Sequence, residues 1–202
     1  MNNMKKYLES LTLIIMMIAI SSIGYTQTTY KVQDVKLKLY GTSTLHDWEM
    51  DATRANGESQ LIFSTENELS SVKSLTFILE VKNLKSDNSS LDKNAYKALK
   101  ADKYKTISYK LTAATKSPEK GGYLLKTRGK LTIAGTTRDV AMDIHLVTNE
   151  NNTITYKGSY QLNMTDYGVE PPSFMLGAMK TGDALKLDFE VKYSKQNEGN
   201  LN

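Results

Sequence analysis

The chain has 202 residues, no cysteine, two histidines and a formal net charge of +4. Without cysteine there is no disulfide staple and no lipid-bearing thiol, so stability must come from a buried core. The basic excess is thin and interleaved with Asp and Glu, with no basic face carrying stacking aromatics, which argues against nucleic-acid binding.

A leader comes first. Lys5 and Lys6 open it, an apolar run covers 11–20, and 21–26 are mostly small or polar. That order predicts a secretory signal peptide over 1–26, and the run is too short to span a bilayer, which takes ~20 residues. Export places the mature chain in the periplasm or outside the cell. The remaining residues fit one domain over 27–194 and a polar, disordered tail over 195–202.

The first strand is the alternating stretch 32–39. Its apolar phase is odd-numbered, yet Trp48 and Met50 are even-numbered. A slip of one residue exchanges the two faces, so a bulge or bend is expected between Gly41 and Leu45. Leu61 and Phe63 mark a short strand over 59–64, and Leu75, Phe77, Leu79 and Val81 mark another over 72–81. The single helical pattern puts Leu91, Ala95, Ala98 and Leu99 on one stripe. Ser89 or Ser90 is expected to cap it, with Lys100 and Lys103 at the end where the dipole favours cations. So short a helix must dock to persist.

Strand character resumes at Thr106, with Ile107, Tyr109, Leu111 and Ala113 in phase, and 118–122 reads as a turn. Leu125, Thr127, Gly129, Leu131 and Ile133 share a face and lead into a hairpin whose second arm carries Val140, Met142, Ile144 and Leu146. Its link, 134–139, suits a short loop with one residue at positive φ. After a turn at 149–152, Ile154, Tyr156, Gly158, Tyr160, Leu162 and Met164 make a long strand. Leu185, Leu187, Phe189, Val191 and Tyr193 make the last.

Eight or nine alternating strands with one short helix and no βαβ rhythm predict an all-β, eight-stranded antiparallel barrel. An interior of that size is just filled by side chains or holds one small ligand. Such strands also suit an outer-membrane barrel, but here one face is dense in Lys, Asp, Glu and Thr, so stable membrane insertion is not expected.

Residues 166–182 carry two prolines and no alternation, yet include Val169, Phe174, Met175, Leu176 and Met179. A loop this long and apolar is expected to close one end of the barrel, as a flap or as a plug. Gly129 and Gly158, on the apolar phase, either leave space or mark sharp coiling. His46-Asp47-Trp48 is the most enzyme-like trio, but strand neighbours point to opposite faces and so His46 and Asp47 do not simply pair. His145 lies on a polar phase. With no nucleophile elbow and no metal-spaced His or Cys cluster, no catalytic residue, metal or cofactor is nominated. The alternative is an enzyme working on a small apolar substrate through His46 in the same cavity.

The run from Leu91 to Tyr109 resembles the segment of YceI-like proteins in which a short helix leads into Lys-Tyr-Pro-Thr-Ile-Ser-Phe, with Lys105 in place of the proline. The hairpin resembles that family's Leu-Thr-Ile-X-Gly-Val-Thr-Arg-Pro-Val, with Thr136 and Asp139 as departures. Asn163-Met164-Thr165-Asp166-Tyr167-Gly168 and Lys180-Thr181-Gly182-Asp183 resemble its closing segment, and 41–48 resembles a Bacteroidetes-type branch. The resemblance implies a lipocalin-like barrel in the periplasm that binds a polyisoprenoid or similar amphiphilic lipid inside. By strand phase the wall would be Leu75, Phe77, Leu79, Ile107, Tyr109, Leu131, Ile133, Met142, Ile144, Tyr160, Leu162, Leu187 and Phe189. Gly158 would leave room among them, and Phe174, Met175 and Met179 would close the end. The sequence leaves a homodimer open.

Overall fold

The computed structural model describes residues 26–66, 68–149, 151–174 and 179–196, with only the backbone at Phe174. The leader and most of the C-terminal tail lie outside the described residues.

Ten strands run in chain order: β1 (Thr26–Ser43), β2 (Trp48–Ala52), β3 (Asn56–Phe63), β4 (Leu69–Glu80), β5 (Thr106–Glu119), β6 (Gly122–Ile133), β7 (Thr136–Thr148), β8 (Thr153–Asn163), β9 (Ser173–Phe174) and β10 (Met179–Lys195). Eight of them pair as β1-β3-β4-β5-β6-β7-β8-β10, and β10 returns to β1, so the antiparallel sheet closes into a barrel. Closure pairs each barrel strand with a neighbour on both sides over at least part of its length.

β2 and β3 keep the same register against β1, Leu37 facing Ala52 and Tyr30 facing Ser59. They are one strand interrupted at 53–55. The phase slip expected near Gly41 is a chain reversal between β1 and β2, where Ser43 Oγ donates to the His46 carbonyl at 2.7 Å. A bulge between Val32 and Asp34 adds a second change of phase, so Tyr30 and Val35 both face inward.

Two turns differ from expectation. The β6–β7 link is only Ala134-Gly135, both at positive φ (47° and 83°), as a type I′ hairpin requires. Residues 136–139 already belong to β7. Pro118 sits within β5, opposite Tyr123, and the turn falls at 120–121 with Gly121 at φ 85°.

The helix α1 (Ser89–Ala98) is capped by Asn88, one residue before the expected serines. Its side chain accepts from Ser90 N (2.9 Å) and Leu91 N (3.3 Å). Asp92 then ties the helix start to the preceding loop, accepting from Ser86 N and Ser86 Oγ, both at 2.8 Å. Burial pushes the Asp92 carboxyl up, but the Ser86 bonds and Lys85 outweigh it and hold the group below its ordinary value. Further along the helix, Tyr96 Oη donates back to the Leu84 carbonyl at 2.6 Å.

A candidate ligand-binding lumen

The two ends of the barrel are built differently. Where the β5–β6 and β7–β8 turns lie, Tyr30, Leu61, Phe63, Leu69, Leu125, Leu146 and Ile154 converge and are buried. Above them Tyr156 and Tyr193 meet edge to face, with ring centroids 5.3 Å apart. The Tyr156 hydroxyl pairs with Ser59 Oγ at 2.7 Å, and Tyr193 Oη donates to the Thr76 carbonyl at 3.2 Å. Burial pushes both phenols far above their ordinary pKa, so they stay neutral. The rings form an apolar floor whose polar atoms are already satisfied.

Above this floor the barrel is hollow. The cavity is about 220 Å³ and its lining is almost wholly apolar. One water needs about 10–15 Å³ on this measure, so the space has the volume of more than a dozen waters, yet it offers them few partners. The wall is set by strand alternation: Leu37 and Leu39 from β1, Leu75, Phe77 and Leu79 from β4, Ile107 and Tyr109 from β5, Leu131 and Ile133 from β6. Met142 and Ile144 from β7, Tyr160 and Leu162 from β8, and Leu185, Leu187 and Phe189 from β10 complete it. Many of these are only partly buried, because they face empty space and not one another.

Three pieces cover the hollow end. α1 and its C-terminal cap present Leu91, Asn94, Ala95, Ala98 and Leu99 to the lumen. Trp48 lies across Gly41 and donates from Nε1 to the Thr42 carbonyl at 3.0 Å. A Cβ on Gly41 would meet the indole at 2.1 Å, so only glycine lets the ring lie there. The segment after β8 supplies Tyr167, Val169 and Pro172. It is held in place by a 3-10 turn (Thr165–Tyr167) ended by Gly168 at φ 66°, and by Thr165 N and Oγ1 donating to the Asp183 carboxylate at 2.9 and 2.6 Å. Those two bonds keep Asp183 below the ordinary carboxylate range.

The expected wall therefore stands around one space, apart from four positions. Gly158 does not line it: Phe189 lies opposite, and a Cβ on Gly158 would meet its ring at 2.6 Å. Gly129 likewise gives its room to the Tyr109 ring, at 2.4 Å. Met179 opens β10 and is not in the lining, while the Phe174 side chain and Met175 fall outside what is described. In the stretch 166–182, expected as a closing loop, the described residues carry the end of a 3-10 turn and then β9 paired with the start of β10.

The expected wall left out Leu37, Leu39, Tyr156, Leu185 and Tyr193, all in phase on their strands, and strand phase does not reach α1, Trp48 or the residues after β8. The α1 stripe was visible, but not the surface it docks on.

His46 is exposed in the β1–β2 reversal, away from the lumen. His145 Nδ1 lies 2.7 Å from Glu119 on the outer face. Among the described residues no cluster of three or more His, Cys, Asp or Glu is placed to hold a metal, and no helix is long and apolar enough to cross a membrane.

A closed eight-stranded antiparallel barrel with a capped, apolar interior defines a lipocalin-like barrel. The chain belongs to the YceI-like domain family, whose model matches residues 22–193. Among solved structures it is similar to Burkholderia cenocepacia BcnA (15% identity, TM-score 0.63, covering 78% of this chain and 95% of that one). It is also similar to a polyisoprenoid binding domain from Saccharophagus degradans implicated in plant cell wall breakdown (9%, 0.62, 87% and 100%). A third is the Campylobacter jejuni YCEI protein (15%, 0.52, 89% and 88%). At these identities the likeness is one of fold. Among curated proteins none matches this sequence.

Proposed function

We propose that this protein is an exported carrier or sequestering protein that takes the apolar chain of an isoprenoid or similar amphiphilic lipid into its barrel. The observation that carries this is the lumen itself, about 220 Å³, almost wholly apolar and built by inward residues of seven barrel strands and the cap. Each buried CH₂ contributes about 0.8 kcal/mol, so a five-carbon isoprene unit gives on the order of 3–4 kcal/mol gross. Two or three such units offset a good part of the association cost without any reacting group. The description of the Saccharophagus neighbour as a polyisoprenoid binding domain supports the same chemistry. The leader's order, basic then apolar then small, supports export to the periplasm.

The test is mass spectrometry of solvent extracts from protein purified out of its native cells. The expected result is a lipid with a long apolar chain in near-stoichiometric amount, absent from an equally purified Ala98→Phe variant. Equal lipid from both proteins would overturn the reading.

A further inference from the structure

The wall of the hollow end is not continuous. β7 and β8 pair only from Ile144–Gly158 to Thr148–Ile154. Beyond Ile144, residues 136–143 of β7 keep their full ladder with β6, and 159–163 of β8 keep theirs with β10. No ladder joins 136–143 to 159–163. The strands part at the level of the lumen, where Met142 and Tyr160 line it from the two sides.

Outside this split lies an open cleft of about 770 Å³ with a mixed lining, in which Arg138, Gln161, Asn163 and Asp166 stand among apolar residues. Trp48, Tyr160, Leu162, Tyr167 and Leu185 line both the cleft and the lumen and form the partition between them, and of these Tyr160, Leu162 and Tyr167 stand at the split. The wedge in the split is Tyr167, which is 2% exposed. Its segment is tethered to β7 by Arg138 Nε donating to the Asp166 carbonyl at 2.7 Å.

A ladder resists parting because every second residue pair exchanges two hydrogen bonds, whereas strands bridged by an inserted ring and a single tether part more readily. Barrel neighbours part in two other places: 32–36 of β1 has no ladder with 53–57, and β4 before Thr76 parts from β5 beyond Lys110 toward the packed end. There the Leu69 amide donates to Tyr123 Oη.

We propose that the lumen fills from the side, through the β7–β8 split, and that the polar end of the bound amphiphile stays in the cleft outside while its chain lies within. This rests on the lipid-carrier reading and adds a head site and an entry route to it. The cleft carries mixed charge: Arg138 shares it with Asp166 and Asp47, and the other groups there, Lys186 and Asp139, are paired with Asp188 and Lys130. It therefore suits a head that both donates and accepts hydrogen bonds.

The cysteine-free chain permits a direct test. Single variants Gln161→Cys in the cleft, Lys93→Cys on α1 and Thr115→Cys on the outer face of β5 are treated with N-dodecylmaleimide and with N-ethylmaleimide. Binding of a fluorescent fatty acid by the wild-type protein is measured alongside. The dodecyl-to-ethyl rate ratio is expected to be at least 10-fold higher at Gln161→Cys than at the other two, and to fall when unlabelled fatty acid is added. If the wild type binds the probe but the ratio at Gln161→Cys equals that at Thr115→Cys, or is highest at Lys93→Cys, the portal is overturned and the lumen stands. If the wild type binds no probe, both fall.

Discussion

The packed and hollow ends of this barrel are written in the same alternating code and come out opposite. At the packed end the inward residues are mostly aliphatic and meet one another, and Leu61, Leu125, Leu146 and Ile154 are at most 1% exposed. At the hollow end larger residues, Phe77, Met142, Tyr160 and Phe189, stand around open space and remain partly buried. Periodicity therefore decides which way a side chain points, while the covering elements decide whether it finds a neighbour. An unfilled cavity of this size forgoes on the order of 5 kcal/mol of packing, at ~24 cal/mol per Å³, which is stability set aside for whatever enters.

The contrast predicts unequal costs for the same substitution. Leu146→Ala at the packed end should lower unfolding free energy by about 3–4 kcal/mol, while Leu187→Ala, whose side chain already faces the void, should cost only about 1–2 kcal/mol. Urea titration of the two variants checks this. Equal losses would mean that the ends are packed alike.

The floor between the ends depends on a satisfied hydroxyl pair. Ser59→Ala leaves the buried Tyr156 hydroxyl without its 2.7 Å partner, so a loss of about 1–3 kcal/mol is expected in the same titration. Tyr156→Phe on top of Ser59→Ala should recover part of it, since no orphaned hydroxyl then remains.

Alkaline pH separates the floor and the wedge from the rest of the barrel. Burial pushes Tyr167 up to about 12, with Tyr160 and Asp166 adding to the shift and Arg138 opposing it. Burial drives Tyr156 and Tyr193 up as well. An unfolded tyrosine ionises near 10, so the unfolded chain sheds these protons first. The stability that Tyr167 contributes is intact below pH 10 and is lost as pH rises through about 12, and that of Tyr156 and Tyr193 begins to erode above pH 10 as well. Urea midpoints measured from pH 8 to 11.5 should fall above pH 10, and less steeply in Tyr167→Phe. The smallest effect is expected at the cap: Asp92→Asn removes charge from its two Ser86 bonds and should cost about 1 kcal/mol, vanishing in acid as the wild-type carboxylate protonates.

Much of this architecture can be read from residue pattern. The alternation of Leu125 through Ile133 and of Val140 through Leu146 gives both arms of the central hairpin and their inward faces. Its turn is harder to read, because Ala134 occupies positive φ where glycine or asparagine is usual. The start of β10 is hidden for another reason: 179–184 has no apolar alternation and is held by backbone pairing with β9, while Thr181 pairs with Ser43 of β1. Cross-strand register explains the glycines, since the room left by Gly158 belongs to Phe189 directly opposite, a pairing that one strand's sequence does not contain. For the site, phase alone gives the wall of the lumen. The floor rings, Tyr156 and Tyr193, are in phase on wall strands, but phase does not say that they meet, and the cap comes from elements whose docking no local period announces.

Uptake of an apolar chain by the hollow end is the central claim. Isothermal titration with a long-chain alkyl amphiphile at several temperatures, on wild type and on Ala98→Phe, tests it most directly. One-site binding with a negative heat-capacity change is predicted for the wild type, weakened at least 10-fold in the variant while its urea midpoint holds. Equal affinity in both proteins, or binding with no heat-capacity change, would contradict it.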